Sequence, residues 1–172
     1  MLINLEKVLL EQHKSIDEKV TLDFDSFDTS FGKFPVLKKE PFDLLVEYKE
    51  GKKIRIVLTG KLLLEGACNR CLEPAELPFT IDVDKEIAID DELEANAPEI
   101  VREKGYSLDV DKLIYDELLM GWPAKILCQD DCKGICNVCG QNLNTGNCNC
   151  EDTSLDPRMA AIRDIFKNFK EV

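Results

Sequence analysis

The sequence FDLLVEYKEGKKIRIVL, residues 42–58, carries the clearest indication of the fold. Large apolar side chains occupy every second position on either side of a short polar segment: Phe42, Leu44, Val46 and Tyr48 before it, Ile54, Ile56 and Leu58 after it. A period of two is typical of strands with one buried face. Because Gly51 allows a turn with positive φ, we expect the two strands to form an antiparallel hairpin.

Further strands extend this hairpin into a sheet. The run Leu62–Leu64 continues the second strand past Gly60, and Phe79, Ile81 and Val83 alternate with polar residues in another strand. Residues 21–24 add a candidate edge strand. The sequence therefore predicts an antiparallel sheet of four or more strands, open on one face or rolled towards a barrel.

Two helices complete an α+β prediction. The segment SLDVDKLIYDELLMGWP, residues 107–123, places apolar residues on one helical face, with Ser107 or Asp109 as the N-cap and Gly121 at the end. Residues 88–106 are predicted to form an acidic loop. Asp156 and Pro157 begin a terminal amphipathic helix. Its apolar stripe is Met159, Ile162, Phe166 and Phe169. We expect residues 1–127 to hold the sheet, loop and first helix, and residues 128–172 to hold a cysteine-rich module whose terminal helix packs on the same domain.

The cysteine-rich module has the sequence CQDDCKGICNVCGQNLNTGNCNC, residues 128–150. Two thiolates separated by two residues can bind one metal ion from a single tight turn, and Cys136-Asn137-Val138-Cys139-Gly140 has this form. We therefore predict one zinc ion. Cys136 and Cys139 are two of its ligands, and the other two come from Cys128, Cys132, Cys148 and Cys150. Leu143 is the expected apolar plug beneath the site. Disulfides and an iron–sulfur cluster are weaker alternatives, because a reducing compartment disfavours the first and the spacing is not a ferredoxin run.

A second pair, Cys68-Asn69-Arg70-Cys71, lies about sixty residues upstream. It is a turn element between strands, half of a second metal site completed by the later cysteines, or a redox pair. Redox C-x-x-C motifs open a helix after a strand, whereas Leu72-Glu73-Pro74 leads back into a strand pattern. The redox interpretation is therefore the enzymatic alternative to a binding protein.

Charge and composition exclude several classes of function. The 172-residue chain carries a net charge of −12, and residues 82–111 alone hold 11 acidic against 3 basic residues, a net of −8. We expect a solvated acidic face or a docking surface for a basic partner, with Asp90, Asp91, Glu92 and Glu94 as candidate contacts. His13 is the only histidine, and no phosphate-binding or dinucleotide motif occurs, so no catalytic residues or small-molecule substrate are predicted. No signal peptide or membrane span is expected, and the predicted location is cytoplasmic.

Four segments together resemble one family. They are GACNRCLEP at residues 66–74, DELLMGWP at 116–123, CKGICNVCGQNLN at 132–144 and LDPRMAAIRDIF at 155–166. Their types and order are similar to the YceD-like family, the large ribosomal RNA subunit accumulation proteins. The resemblance covers roughly residues 40–169. It implies a non-catalytic role in ribosome biogenesis. It also implies that Cys68 and Cys71 need no later cysteines, because some relatives keep only this first pair.

The resemblance leaves two mechanisms open. In one, the protein contacts pre-ribosomal RNA through basic residues. The candidate residues for that contact are Lys38, Lys39, Lys52, Lys53 and Arg55, or Arg158, Arg163, Lys167 and Lys170. In the other, the acidic segment binds a ribosomal protein or an assembly particle. The net charge of −12 favours the second mechanism, because the chain repels bare nucleic acid at long range.

Overall fold

The computed structural model describes residues 1–10, 14–90, 97–102 and 105–150. By compactness the chain divides into two units. The first consists of Met1–Gly66 and Glu76–Ala124, and the second of Ala67–Ala75 together with the chain from Lys125 onward. The C-terminal part of the second unit thus begins three residues before position 128, and the unit also includes the turn that carries Cys68 and Cys71.

The described elements follow one another along the chain with short connections. In order they are β1 Leu2–Asn4, α1 Glu6–Leu10, β2 Ser15–Val20, β3 Ser26–Thr29, β4 Gly32–Lys39, β5 Phe42–Lys49, β6 Lys53–Ala67, β7 Pro74–Ala88, β8 Ile100–Val101, β9 Ser107–Asp109 and α2 Val110–Met120.

The main sheet of the first unit is built around the predicted hairpin. β5 and β6 pair antiparallel, with Leu44 opposite Leu58 and Val46 opposite Ile56, so the hairpin is confirmed. The sheet has the order β2-β5-β6-β4-β3, and β7 also pairs with β6. β6 continues past Gly60 to Ala67, as predicted, and its later residues pair with β4. The predicted strand around Ile81 is confirmed as β7.

The alternation along the strands produces the core. Every second residue is buried from Phe42 to Val46 in β5 and from Ile54 to Leu58 in β6. The side chains of Phe42, Val46, Ile54, Ile56 and Leu58 are completely inaccessible. Each such side chain stabilises the fold by about 1.5–3 kcal/mol relative to exposure. The sheet therefore has an apolar face sufficient for a core that needs no metal.

The predicted edge strand at residues 21–24 is wrong. β2 ends at Val20 and β3 begins at Ser26, so the segment joins two strands instead of forming one. The Lys39 ammonium donates to the carbonyl oxygens of Leu22 at 3.0 Å and Phe24 at 3.2 Å. These carbonyls are therefore satisfied by a side chain and not by a neighbouring strand.

A small three-stranded sheet of order β1-β9-β8 leads into α2. β8 lies inside residues 88–106, where the sequence predicted an acidic loop. The predicted helix is confirmed as α2. Asp109 caps it by accepting from the Lys112 N–H at 3.2 Å, while Ser107 belongs to β9. Gly121 ends it. The predicted terminal helix lies outside the described residues.

Trp122 follows α2 and packs among aromatic rings of the first unit. Its ring centroid lies 4.5 Å from that of Phe34, 5.3 Å from that of Phe27 and 5.5 Å from that of Phe79. These contacts give the tryptophan a structural role in packing the end of α2. Neither helix of the described part of the chain is both long and apolar enough to cross a membrane.

Candidate metal centres

The two C-x-x-C turns of the second unit have the same local structure. The N–H of Arg70 points at the Cys68 Sγ at 3.4 Å, and the N–H of Val138 points at the Cys136 Sγ at the same distance. In each turn the fifth residue donates its N–H to the carbonyl of the first cysteine, at 3.0 Å for Leu72 and 2.9 Å for Gly140. The sequence CN-x-C occurs in both. Such turns present two sulfurs to one point and leave N–H groups free to offset thiolate charge.

The fifth residue of each turn has positive φ, 63° for Leu72 and 75° for Gly140. Glycine adopts this conformation without cost, whereas leucine is disfavoured there by about 1–2 kcal/mol. Leu72 nevertheless adopts it, with its side chain 68% exposed. The first turn therefore keeps its geometry against the preference of its own residue, which indicates that its surroundings impose it.

The first turn joins two distant cysteines in a four-thiol cluster of Cys68, Cys71, Cys128 and Cys132. The Cys68 and Cys132 sulfurs are 3.8 Å apart, and those of Cys71 and Cys128 are 3.5 Å apart. Cys68, Cys71 and Cys132 are buried, while Cys128 is exposed. The cluster is therefore largely closed to solvent, and Cys128 is its exposed member.

Hydrogen bonds between distant segments hold this first cluster together. Asn69 donates its N–H to the Ile126 carbonyl at 2.8 Å, and its side-chain oxygen accepts from the Ile126 N–H at 2.6 Å. The Arg70 guanidinium donates to the Cys132 carbonyl at 2.8 Å. Gly134, with φ of 79°, lies so near that an added Cβ would be 3.1 Å from the Arg70 carbonyl oxygen. These contacts place the Cys68–Cys71 turn beside residues 126–134.

The second turn belongs to a compact ribbon that carries the cluster Cys136, Cys139, Cys148 and Cys150. Ile135 and Asn142 form an antiparallel bridge, and the Cys136 N–H donates to the Gln141 carbonyl at 2.8 Å. Leu143, the predicted plug, is half-buried and donates its N–H to the Gly134 carbonyl at 2.9 Å. This ribbon assembles its cluster from one continuous segment of chain.

Both clusters fit a tetrahedral metal ion. With metal–sulfur bonds of about 2.3 Å, the edges of a regular tetrahedron are about 3.8 Å long. The two sulfur–sulfur distances resolved in the first cluster, 3.8 and 3.5 Å, match this edge. In each cluster all four sulfurs lie within 4.8 Å of one another. Bridging sulfides would separate thiolates further, so a single ion fits better than an iron–sulfur cluster.

Hydrogen bonds divide the thiols of each cluster into acidic and weakly acidic ones. Burial raises the pKa of Cys68, but surrounding N–H groups, led by that of Cys71, outweigh burial and bring this pKa to about 6. The N–H groups of Cys139 and Val138 likewise lower the pKa of Cys136 to about 6. Hydrogen bonding to Cys71 raises the pKa of Cys128 to about 12, and hydrogen bonding to Cys139 does the same for Cys150. Within each cluster a thiol of low pKa thus lies beside one of high pKa that keeps its proton. Binding of a metal ion would displace the remaining thiol protons.

The structure places the predicted metal ligands in two groups. Cys136 and Cys139 meet Cys148 and Cys150, whereas Cys128 and Cys132 meet the upstream pair Cys68 and Cys71. All eight cysteines are free thiols. Sequence reasoning missed Asn144, whose side-chain N–H group donates to the Cys132 Sγ at 3.3 Å. Nothing in its local sequence pointed to that contact.

Few of the acidic candidates lie among the described residues. Only Asp90 does, and its carbonyl accepts from the Arg102 guanidinium, whereas Asp91, Glu92 and Glu94 lie outside. Other acids of the 82–111 segment have structural partners. Asp84 binds Arg55 with two hydrogen bonds of 2.7 and 2.6 Å, and the buried Glu99 pairs with Lys85. Part of the predicted acidic charge is therefore used in ion pairs within the protein.

Several basic candidates are already ion-paired. Lys38 contacts Glu40 at 2.8 Å and Lys39 contacts Asp25 at 2.9 Å, as Arg55 contacts Asp84. The group on the last predicted helix lies outside the described residues. A phosphate would have to displace a carboxylate at each of the three paired positions.

Comparison with known proteins connects this site to one family. The model of the family described as large ribosomal RNA subunit accumulation protein YceD matches residues 58–166, which include all eight cysteines. A Zea mays protein named large ribosomal RNA subunit accumulation protein YCED homolog 1, chloroplastic, is 30% identical over 94 residues. These residues are 54% of this chain and 30% of that protein, so the chain spans under a third of this relative. No solved structure matches the chain.

Proposed function

The chain belongs to the YceD family of large ribosomal RNA subunit accumulation proteins, and from this membership we propose that it is a non-catalytic factor in biogenesis of the large ribosomal subunit. Its partner is a ribosomal protein or a pre-ribosomal particle. The observation that carries the proposal is the family match over residues 58–166, which spans the acidic segment and both cysteine clusters. The family description names an accumulation factor and not an enzyme.

Charge supports a cationic protein partner over bare RNA. The chain has a net charge of −12, so its long-range field attracts basic proteins and repels phosphate. The ion pairs of Lys38, Lys39 and Arg55 further reduce the positive surface open to phosphates. The acidic segment around Asp90 is the proposed contact, with Asp91, Glu92 and Glu94 as its other members. Direct rRNA contact is the alternative, and affinity capture with and without ribonuclease distinguishes it from contact with a basic protein.

We assign a structural zinc ion to the ribbon cluster Cys136, Cys139, Cys148 and Cys150. Four thiolates suit zinc, and the second unit has few large buried apolar side chains among its described residues, so binding free energy replaces a core. Bound zinc would order the ribbon and takes no part in chemistry. Such thiolates persist in a reducing compartment, in line with the expected cytoplasmic location.

Affinity capture with and without ribonuclease tests the function. We expect large-subunit assembly material to be captured, and the protein partner to remain after ribonuclease treatment. Reversing four acids to lysine should weaken that capture, and raising the salt concentration should weaken it in the wild type too. The variant carries Asp90→Lys, Asp91→Lys, Glu92→Lys and Glu94→Lys.

A matched control separates local charge from total charge. It reverses four exposed acids outside the 82–111 segment: Asp17, Glu18, Glu50 and Glu76. Both variants change the net charge from −12 to −4, because each reversal adds two charges. The control should retain most of the capture. Tight binding of the purified protein to free rRNA at physiological salt, unchanged by the first set of reversals, would refute the acidic contact.

A further inference from the structure

We propose that Cys68, Cys71, Cys128 and Cys132 bind a second zinc ion, independent of the ribbon site. This site is formed by two segments of chain, since Cys71 and Cys128 are 57 positions apart. It goes beyond the proposed function, which uses one zinc ion in the ribbon. It also replaces the expectation that the first cysteine pair needs no later cysteines.

The sulfur geometry is the first support. The distances of 3.8 Å between Cys68 and Cys132 and 3.5 Å between Cys71 and Cys128 are two opposite edges of one tetrahedron. All four sulfurs lie within 4.8 Å of one another. Four unbonded thiols converge in this way where a cation is to be surrounded, because neutral thiols gain little from one another's company.

The equivalence of the two turns is the second support. The Cys68–Leu72 turn repeats both hydrogen bonds of the Cys136–Gly140 turn, and it does so although Leu72 must adopt φ of 63°. The unfavourable backbone conformation is offset only if something stabilises the turn. A metal ion bound to Cys68 and Cys71 supplies that stabilisation.

The surroundings of the cluster are those of a metal site and not of a redox pair. Cys68 is completely buried and Cys71 is 5% exposed, so neither sulfur is open to a substrate disulfide. The Arg70 side chain is held by the Cys132 carbonyl, and Asn144 donates to the Cys132 sulfur at 3.3 Å. These donors offset the negative charge that four metal-bound thiolates carry.

The ion would act as a cross-link within the second unit. It ties Ala67–Ala75 to the chain that begins at Lys125, alongside the Asn69–Ile126 and Arg70–Cys132 hydrogen bonds. Closing a loop of this length in the unfolded chain is entropically costly, so such a cross-link stabilises the folded unit more than a local site does.

Metal counting on the full-length reduced protein tests the proposal, by native mass spectrometry and elemental analysis. We expect two zinc ions in the wild type. Cys71→Ser should keep only the ribbon ion, and Cys139→Ser should keep only the ion of the Cys68 cluster. The Cys71→Ser, Cys139→Ser double variant should bind none. Leu72→Ala, which alters the adjacent non-ligand, should retain two.

A second substitution at Cys128 distinguishes loss of a metal ligand from misfolding of the serine variant. Cys128 is exposed, and Cys128→His supplies another zinc ligand, so Cys128→His should bind two ions whereas Cys128→Ser binds one. One zinc ion in the wild type, or two in Cys71→Ser, would overturn the proposal, as would iron in place of zinc. The capture experiment above has a separate readout, so failure of either proposal leaves the other standing.

Discussion

Replacing Gly60 with alanine should destabilise the first unit through a clash with one ring. Gly60 lies in β6, where a Cβ would be 2.3 Å from the Cδ1 of Phe42, 2.7 Å from its Cγ and 2.8 Å from its Cε1. Carbon atoms in contact are normally about 3.5–4.0 Å apart, so the closest pair must separate by about 1.2 Å. Phe42 is completely buried in the packed face of β5, so its ring cannot swing into solvent.

The expected cost follows from these distances. Overpacking a core costs about 1–3 kcal/mol, and this contact is at the severe end of the range. Replacing glycine in a strand recovers about 0.5–1 kcal/mol of backbone entropy. We therefore expect Gly60→Ala to lower the free energy of unfolding of the first unit by about 2 kcal/mol.

Urea unfolding followed by tryptophan fluorescence measures this change. Trp122 is the only tryptophan of the chain and lies in the first unit, so its signal reports that unit. Gly121→Ala is the control, because its Cβ would meet nothing nearer than the Glu117 carbonyl oxygen at 3.3 Å. It should change the free energy by less than about 1 kcal/mol.

A double-mutant cycle identifies the ring as the cause. In a Phe42→Ala background the Cγ, Cδ1 and Cε1 atoms are gone, and the cost of Gly60→Ala should nearly vanish, a coupling energy of about 1–2 kcal/mol. The reasoning fails if Gly60→Ala alone costs less than about 0.5 kcal/mol, or if the two substitutions are additive.

Two further predictions concern the ribbon and the surface. Cys136→Ser should release the ribbon zinc and speed amide hydrogen exchange at residues 136–150. β5 and β6 should stay protected from exchange, because the sheet has its own core. Equal loss of protection in β6 would contradict this. Hydrogen bonding and charge from Arg55 hold the pKa of Asp84 below its usual range. The Arg55–Asp84 pair therefore stabilises the fold fully at pH values above the ordinary carboxyl pKa of about 3.9. That contribution is lost as the pH falls through the lower pKa that Asp84 has in the folded protein. Asp84→Asn should therefore lose less stability than the wild type on acidification, as measured by urea unfolding at several pH values. An equal loss in the two proteins would contradict this.

Much of the first unit could be predicted because its signals are local. The alternation in residues 42–58 predicts both strands, Gly51 predicts their turn, and both are present in β5 and β6. Asp109 and Gly121 likewise predict the ends of α2. The strand prediction for residues 21–24 was wrong for a non-local reason. The Lys39 side chain donates hydrogen bonds to the carbonyl groups that a strand would have offered to its neighbour.

The sequence predicts unaided that Cys136 and Cys139 share one turn, because two intervening residues and a following glycine suffice to bring two sulfurs together. It could not determine their partners, since Cys128, Cys132, Cys148 and Cys150 are all within reach of that turn. The meeting of Cys128 and Cys132 with Cys68 and Cys71 is visible only in the folded protein. That choice depends on hydrogen bonds between remote segments, from Asn69 to Ile126 and from Arg70 to Cys132, whose pairing no local spacing encodes.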